Sequence, residues 1–163
     1  MKSYFIMKNE FVHINENSFE KIKRLIQSSK KEGKKVIYSS DSDELSRKIL
    51  EKLGSDINIY LINLAGRRDK SKQREGGFNQ VIAKICKKEN IIIGINFDEI
   101  IEAGNLFEKS EILGRIRQNI KLCNKNKLKM KFIFLKKENE RNIYDIKSLG
   151  LVLGMPTTIV KDL

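Results

Sequence analysis

Between Arg67 and Arg74 the chain carries Arg67, Arg68, Lys70, Lys72 and Arg74 against Asp69, with Glu75 next in line. No packed core needs so many like charges together, so the natural chemistry of the segment is to hold an anion from outside the chain. Arg forks match phosphate oxygens two at a time, and Lys acts as a compact point charge. A second group follows at Arg115, Arg117, Lys121 and Lys125. Arg117, Lys121 and Lys125 stand at i, i+4, i+8 and form one stripe if the segment is helical. Like charges at that spacing repel by about 0.2–0.5 kcal/mol per pair, whereas a phosphate backbone turns the repulsion into attraction by releasing counterions. These nine residues are the candidate nucleic-acid contacts. The plainer alternative is a solvated Lys-rich face.

Other chemistry is absent from the sequence. No Gly-x-Gly-x-x-Gly follows a strand, and there is no P-loop. No Ser or Cys sits in a nucleophile elbow. Cys86 and Cys123 fall at apolar helical positions with no second Cys or His at metal-ligand spacing, so they read as buried thiols in a reducing compartment. The single histidine, His13, alternates with Val12 and Ile14 and reads as a solvent-facing strand residue. Asp69 and Asp98 are the best candidates for a metal site, but helix capping or ion pairing explains them as well. The residues themselves assemble no catalytic constellation.

The charge is local. The chain has 163 residues and a formal net charge of +12. Arg67–Lys88 carries +6 and Arg115–Lys137 carries +9, so the remainder is net −3. A charged fraction of 33% beside 40% hydrophobic residues describes a soluble globular domain rather than a disordered chain. The length suits one domain over residues 1–163. No apolar run approaches the roughly 20 residues that span a bilayer, and the opening apolar run is too short for a signal peptide. A cytoplasmic location follows by default.

The elements that must position these side chains alternate. Residues 4–14 read as a strand interrupted near Asn9-Glu10. Asn15–Ser18 supplies a cap for a helix with Phe19, Ile22, Leu25 and Ile26 inward, ended at Gly33. Val36-Ile37-Tyr38 is a short strand, Ser39–Asp43 caps a helix faced by Leu45, Ile49, Leu50 and Leu53, and Gly54 closes it. Residues 57–64 form a third strand. The Gly66 loop then feeds a helix to Lys88 and a strand of continuous Ile over residues 91–97, typical of a strand buried on both faces. A short helical turn over 98–103, a long helix over 107–126, a strand over 130–135, a polar loop over 136–142 and a helix over 143–153 complete the series. Thr158-Ile159-Val160 reads as a last short strand after Pro156. Repeated strand–helix order argues for a parallel sheet with right-handed crossovers, either doubly wound or part of a β/α barrel.

Four blocks in this order resemble a known family. Gly66-Arg67-Arg68-Asp69 with Gly77-Phe78-Asn79-Gln80-Val81-Ile82-Ala83-Lys84 is similar to the Gly-Arg-Lys-Asp-Ser-Gly-Phe-Asn-His-Val-Leu-Ala-Lys segment of ribonuclease P protein component 3, the thirty-kilodalton subunit of archaea and eukaryotes. Ile92 to Phe97 resembles its Val-Ala-Ile-Glu-Ile-Asn-Phe strand, and Arg117–Leu122 its Arg-x-Asn-Ile-x-Leu helix. Arg141–Asp145 with Leu149 and Leu153-Gly154-Met155 resembles its ending. The segment Lys70–Glu75 is an insertion relative to that pattern, and Gln80 stands where the family has His.

The resemblance implies a parallel β/α barrel of the polymerase-and-histidinol-phosphatase type, here incomplete with about five or six strand–helix units. It implies a non-catalytic protein subunit of archaeal ribonuclease P, whose RNA removes the 5′ leader of precursor tRNA. The implied partners are the ribonuclease P RNA, precursor tRNA and the ferredoxin-like component 2, in a heterotetramer. No cofactor is implied for this chain, and magnesium serves the RNA of the holoenzyme. On this reading Arg67, Arg68, Lys70, Lys72, Arg74, Arg115, Arg117, Lys121 and Lys125 face RNA, while Asn79, Asn96 and Asn119 hold loops by hydrogen bonds. The alternatives are a metal-dependent phosphoesterase of the same barrel superfamily and a general basic RNA-binding module.

Overall fold

Short runs of β-branched residues, each followed by an amphipathic helical segment, build the molecule. The structure, a computed structural model, describes residues 10–163. The strand expected over residues 4–14 is present as β1 (Phe11–Ile14), and its first part lies outside the described residues. Strands β2 (Lys35–Tyr38), β3 (Ile59–Ile62), β4 (Ile92–Asn96) and β5 (Met130–Ile133) follow. Helices α1 (Phe19–Lys31), α2 (Asp43–Leu53) and α3 (Gln80–Lys88) connect the first four. Helices α4 (Phe97–Glu102) and α5 (Leu106–Asn126) link β4 to β5. Helices α6 (Ile143–Leu153) and α7 (Thr157–Lys161) end the chain.

All four strand pairings are parallel, in the order β1-β2-β3-β4-β5. The order never reverses, so the sheet has no switch point of the doubly wound kind. Right-handed crossovers in one direction place every connecting helix on one face, which is how a β/α barrel is wound. The larger core accordingly joins Val36, Tyr38, Tyr60, Ile62, Ile93 and Ile95 to residues of the helices. The opposite face carries a smaller core of Ile37, Ile59, Leu61 and Ile133, to which no helix contributes. Gly94 lies on that inner face, where a Cβ would come 2.9 Å from Ile59 and 3.1 Å from Leu61 and Ile133. Neighbouring side chains thus interdigitate over it, as in the layered interior of a barrel. Among the described residues five strands leave the barrel open, with β1 and β5 at its edges.

One expectation changes. Thr158-Ile159-Val160 is not a strand but the centre of α7. Pro156 stands at its N-cap, where its missing N–H costs nothing, and Val160 turns into the core beside Gly150 and Met155. Gly54 closes α2 as expected, at its C-cap. Its φ of −58° leads into a 3-10 turn over Gly54–Asp56. Gly154, with φ +100°, ends α6 in the expected way. Cys86 and Cys123 are both free and buried, and burial pushes each thiol up to about 12. Among the described residues no helix is long and apolar enough to cross a membrane.

Candidate nucleic-acid interface

The segment between β3 and α3 is a βα loop at the C-terminal end of the sheet, the end on which α/β folds carry their sites. It folds back across α5 and is fastened there by buried polar groups.

Arg115 is the principal fastener. Its side chain is only 2% exposed. Its Nε donates to Asp69 Oδ1 at 2.8 Å, Nη1 to the Leu64 carbonyl at 3.2 Å and Nη2 to the Arg67 carbonyl at 2.8 Å, with Glu111 3.6 Å away. A buried charge is tolerable only when paired and hydrogen-bonded in this way. One turn further, Asn119 Nδ2 donates to the Gly76 carbonyl at 2.8 Å, and Gln118 Nε2 donates to the Arg74 carbonyl at 3.1 Å.

The loop closes on itself as well. Lys70 and Gln73 exchange backbone hydrogen bonds of 2.9 and 3.2 Å across Ser71-Lys72. Asp69 Oδ1 also accepts from the Glu75 amide at 2.8 Å. Burial alone would raise the Asp69 pKa, but the Arg115 hydrogen bond, the Glu75 amide and the charges of Arg115 and Arg74 outweigh it and hold the carboxyl below its ordinary value. Arg67 donates through Nε to the Asn63 carbonyl at 2.6 Å and forks onto Asp43 at 3.0 and 3.3 Å, its side chain only 12% exposed. Gly77, with φ +60°, passes so close beneath the Arg67 guanidinium that any Cβ there would collide with it.

The nine candidate contacts therefore divide. Arg115 is not on the surface, which corrects its assignment as an RNA contact: it sits among the buried positions of α5 and ties down the loop. Arg67 is largely occupied by Asp43 and Asn63. Lys70 and Arg74 are exposed and have only long ion pairs, 3.8 Å to Glu75 and 3.5 Å to Asp69. Arg68, Lys72, Arg117, Lys121 and Lys125 are exposed and make no ion pair among the described residues.

Tertiary folding joins the two basic segments. An open cleft of about 690 Å³ runs between the loop and α5, and Lys70, Lys72, Arg74, Arg117 and Lys121 all line it. The Arg74 guanidinium lies against Gly114, where no Cβ intervenes. Arg68 and Lys125 are not part of the cleft wall. Sequence reasoning missed Gln118, which both holds the loop and lines the cleft. Its position one residue after Arg117 in the basic stretch was the available signal.

The asparagines behave unequally. Asn79 caps α3, its Oδ1 accepting from the Val81 and Ile82 amides at 2.9 and 3.0 Å, and Asn119 holds the loop as described. Asn96 precedes α4 but makes no side-chain cap, and its buried Oδ1 has no hydrogen-bond partner.

The mouth of the sheet holds carboxylates, and they are engaged. Asp98 accepts from the Leu135 and Lys136 amides at 2.9 and 3.2 Å and from Asn139 Nδ2 at 3.0 Å. Glu99 accepts from the Leu64 amide at 2.7 Å, and burial raises its pKa. His13 donates to or accepts from Ser39 Oγ at 2.8 Å, and desolvation lowers its pKa. Among the described residues no three His, Cys, Asp or Glu side chains are grouped to hold a metal.

Comparison with known proteins gives a likeness of fold. No protein-family model matches the chain, and no curated protein matches it in sequence. A solved structure does: a chain of the cryo-EM structure of archaeal ribonuclease P with mature tRNA superposes with a TM-score of 0.74 at 18% identity. The likeness covers 93% of this chain and 62% of that one. The present chain thus spans under two thirds of its structural neighbour.

Proposed function

We propose that this chain is a non-catalytic, RNA-binding protein subunit of an archaeal ribonuclease P, acting in removal of the 5′ leader of precursor tRNA. The observation that carries the reading is the cleft in which cations from two distant segments converge with few internal partners. Five like charges gathered on the two sides of one cleft, whose loop side is held by a buried Arg115–Asp69 pair, are the footprint of an external polyanion that neutralises them. Lys72, Arg117 and Lys121 are the primary phosphate contacts, with Lys70 and Arg74 able to exchange long internal pairs for phosphate. Arg68 and Lys125 extend the surface, and Arg67 and Arg115 position it. The fold likeness to a chain of archaeal ribonuclease P supports the same reading, as do the four sequence blocks.

The cleft is an open space between the loop and α5. That openness favours docking of a large ligand over enclosure of a small one. Catalysis in this proposal belongs to the RNA, with its magnesium, and a component 2 subunit is the protein partner. The reading of a metal-dependent phosphoesterase finds less support, because Asp69 and Asp98 are both committed to hydrogen bonds that hold loops.

The test is cleavage of precursor tRNA by the cognate catalytic RNA and its component 2 partner at limiting magnesium, with and without this chain. Addition of the chain is expected to stimulate cleavage, and the double variant K72A/K121A is expected to lose the stimulation while unfolding at the wild-type temperature. Absence of stimulation by folded wild-type protein overturns the proposal.

A further inference from the structure

The far side of the same loop encloses a second cavity, of about 230 Å³, and its chemistry differs from that of the cleft. Its floor is apolar: Tyr60, Phe78 and Ile82 line it and are 1%, 6% and 4% exposed. Its rim mixes side-chain amides with charged groups of both signs. Asn79 uses its Oδ1 on the α3 amides, which leaves its Nδ2 free to donate. Gln118 uses its Nε2 on the Arg74 carbonyl, which leaves its Oε1 free to accept. Gln73 adds a third amide, and Gly76 and Gly77 complete the wall beneath the Asn119 and Arg67 side chains. Arg47 closes one side, its guanidinium engaged only by Glu51 at 2.8 Å and 60% exposed.

Asp43 and Glu75 stand in the wall opposite Arg47, Lys70 and Arg74, so its charge is nearly balanced, unlike that of the cleft, where cations dominate. A flat, uncharged ring with donors and acceptors on its edge is favoured: a planar guanidinium such as that of Arg47 stacks on such rings, and side-chain amides read their edges. The volume lies below the roughly 300–1,000 Å³ that encloses a drug-sized ligand, which is the scale of one ring system. Lys70, Gln73, Arg74 and Gln118 line both this cavity and the basic cleft. The two are therefore adjacent compartments separated by one loop.

We propose that this cavity takes one unstacked nucleobase from a single strand of RNA whose phosphates lie in the adjoining cleft. The inference rests on the reading of the cleft as an RNA surface. It makes this chain a recogniser of single-stranded or bulged RNA rather than of continuous duplex, because only an unpaired base can leave the stack to enter.

The experiment measures binding of the full chain to a short single-stranded RNA and to the same strand made abasic throughout, each over a series of salt concentrations. The base-bearing strand is expected to bind about tenfold tighter, the effect of seating one base, with the same salt slope for both. The double variant R47K/Q73A keeps the charge and changes only exposed side chains. It is expected to remove the preference for the base-bearing strand and to leave the salt slope unchanged. Equal affinity of the two strands, with a normal salt slope, overturns the base cavity and leaves the cleft reading standing. A preference that persists undiminished in R47K/Q73A also overturns the cavity. Salt-independent or undetectable binding of both strands overturns cleft and cavity together.

Discussion

Arg115 has the residue type of an RNA contact and the environment of a core residue. It lies four positions before Asn119 on α5, and both turn inward to hold the loop. Removing one member of a buried charge pair leaves the remaining groups unsatisfied, at a cost of about 3–5 kcal/mol. Asp69 is partly solvated, with 22% of its side chain exposed, so R115M is expected to lie near about 3 kcal/mol on that scale. Urea unfolding measures this, and an unchanged midpoint would show that the loop does not depend on Arg115. Asp69 supplies the pH signature of the same clamp. Its folded-state pKa lies below its ordinary 3.8, so the unfolded chain binds the proton first as pH falls. The stabilisation is fully present above 3.8 and disappears as pH drops through the folded value. The stability gap between wild type and D69N is therefore expected to be widest near neutrality and to shrink below pH 3.8. A gap that stays constant to low pH would assign the effect of D69N to something other than charge.

At the scale of elements, α5 divides its faces between two tasks. Ile112, Ile116, Ile120 and Cys123 are buried against the sheet, Arg115 and Asn119 hold the loop beside them, and Arg117, Lys121 and Lys125 project outward. The outward cations have no acidic residue one turn away to relieve them, so the helix stands to gain from phosphate contact. Each phosphate contact contributes about one unit to the dependence of log affinity on log salt. The variant K121A is expected to weaken binding by similar factors for RNAs of different sequence and to reduce the salt slope by about one. An unchanged slope would remove Lys121 from the interface. The loop acts as an element too. Its Lys70–Gln73 reversal, its Asp69 contacts and its ties to α5 make it a rigid wall between two cavities rather than a tether.

At the scale of the whole molecule, sequential winding of five strands puts all helices on one face and leaves the sheet's other face with a small core of its own. Charge is distributed unevenly over this frame. The two basic segments are separated by the whole of α3, β4 and α4 in the chain, yet they meet in one cleft because the β3–α3 loop crosses over to α5. The acidic remainder supplies the local partners, such as Asp43 for Arg67 and Glu102 for Lys136. The stimulation of precursor-tRNA cleavage belongs to this scale, since it requires the assembled surface and not any single cation.

Much of this was written in local sequence. Alternating strand and helix signals, the helix cap within Ser39–Asp43, and the continuous Ile strand are properties of short windows, where spacing and burial period agree. The concentration of positive charge in two segments is likewise readable without coordinates, and so is the exposure of Arg117, Lys121 and Lys125 from their offset to the apolar stripe. What the sequence could not decide was which cations are free. Arg115 and Arg117 look equivalent in one dimension, and only the path of a distant loop makes one a buried clamp and the other a surface contact. The short C-terminal run was misread as a strand because β-branched residues favour strands locally, while docking of Val160 beside Gly150 is a tertiary effect that selected the helix. The cleft and its neighbouring cavity belong to the same category: both are spaces between segments, created when Asp69, Gly76 and Arg74 are bound to α5, and no window of sequence contains them.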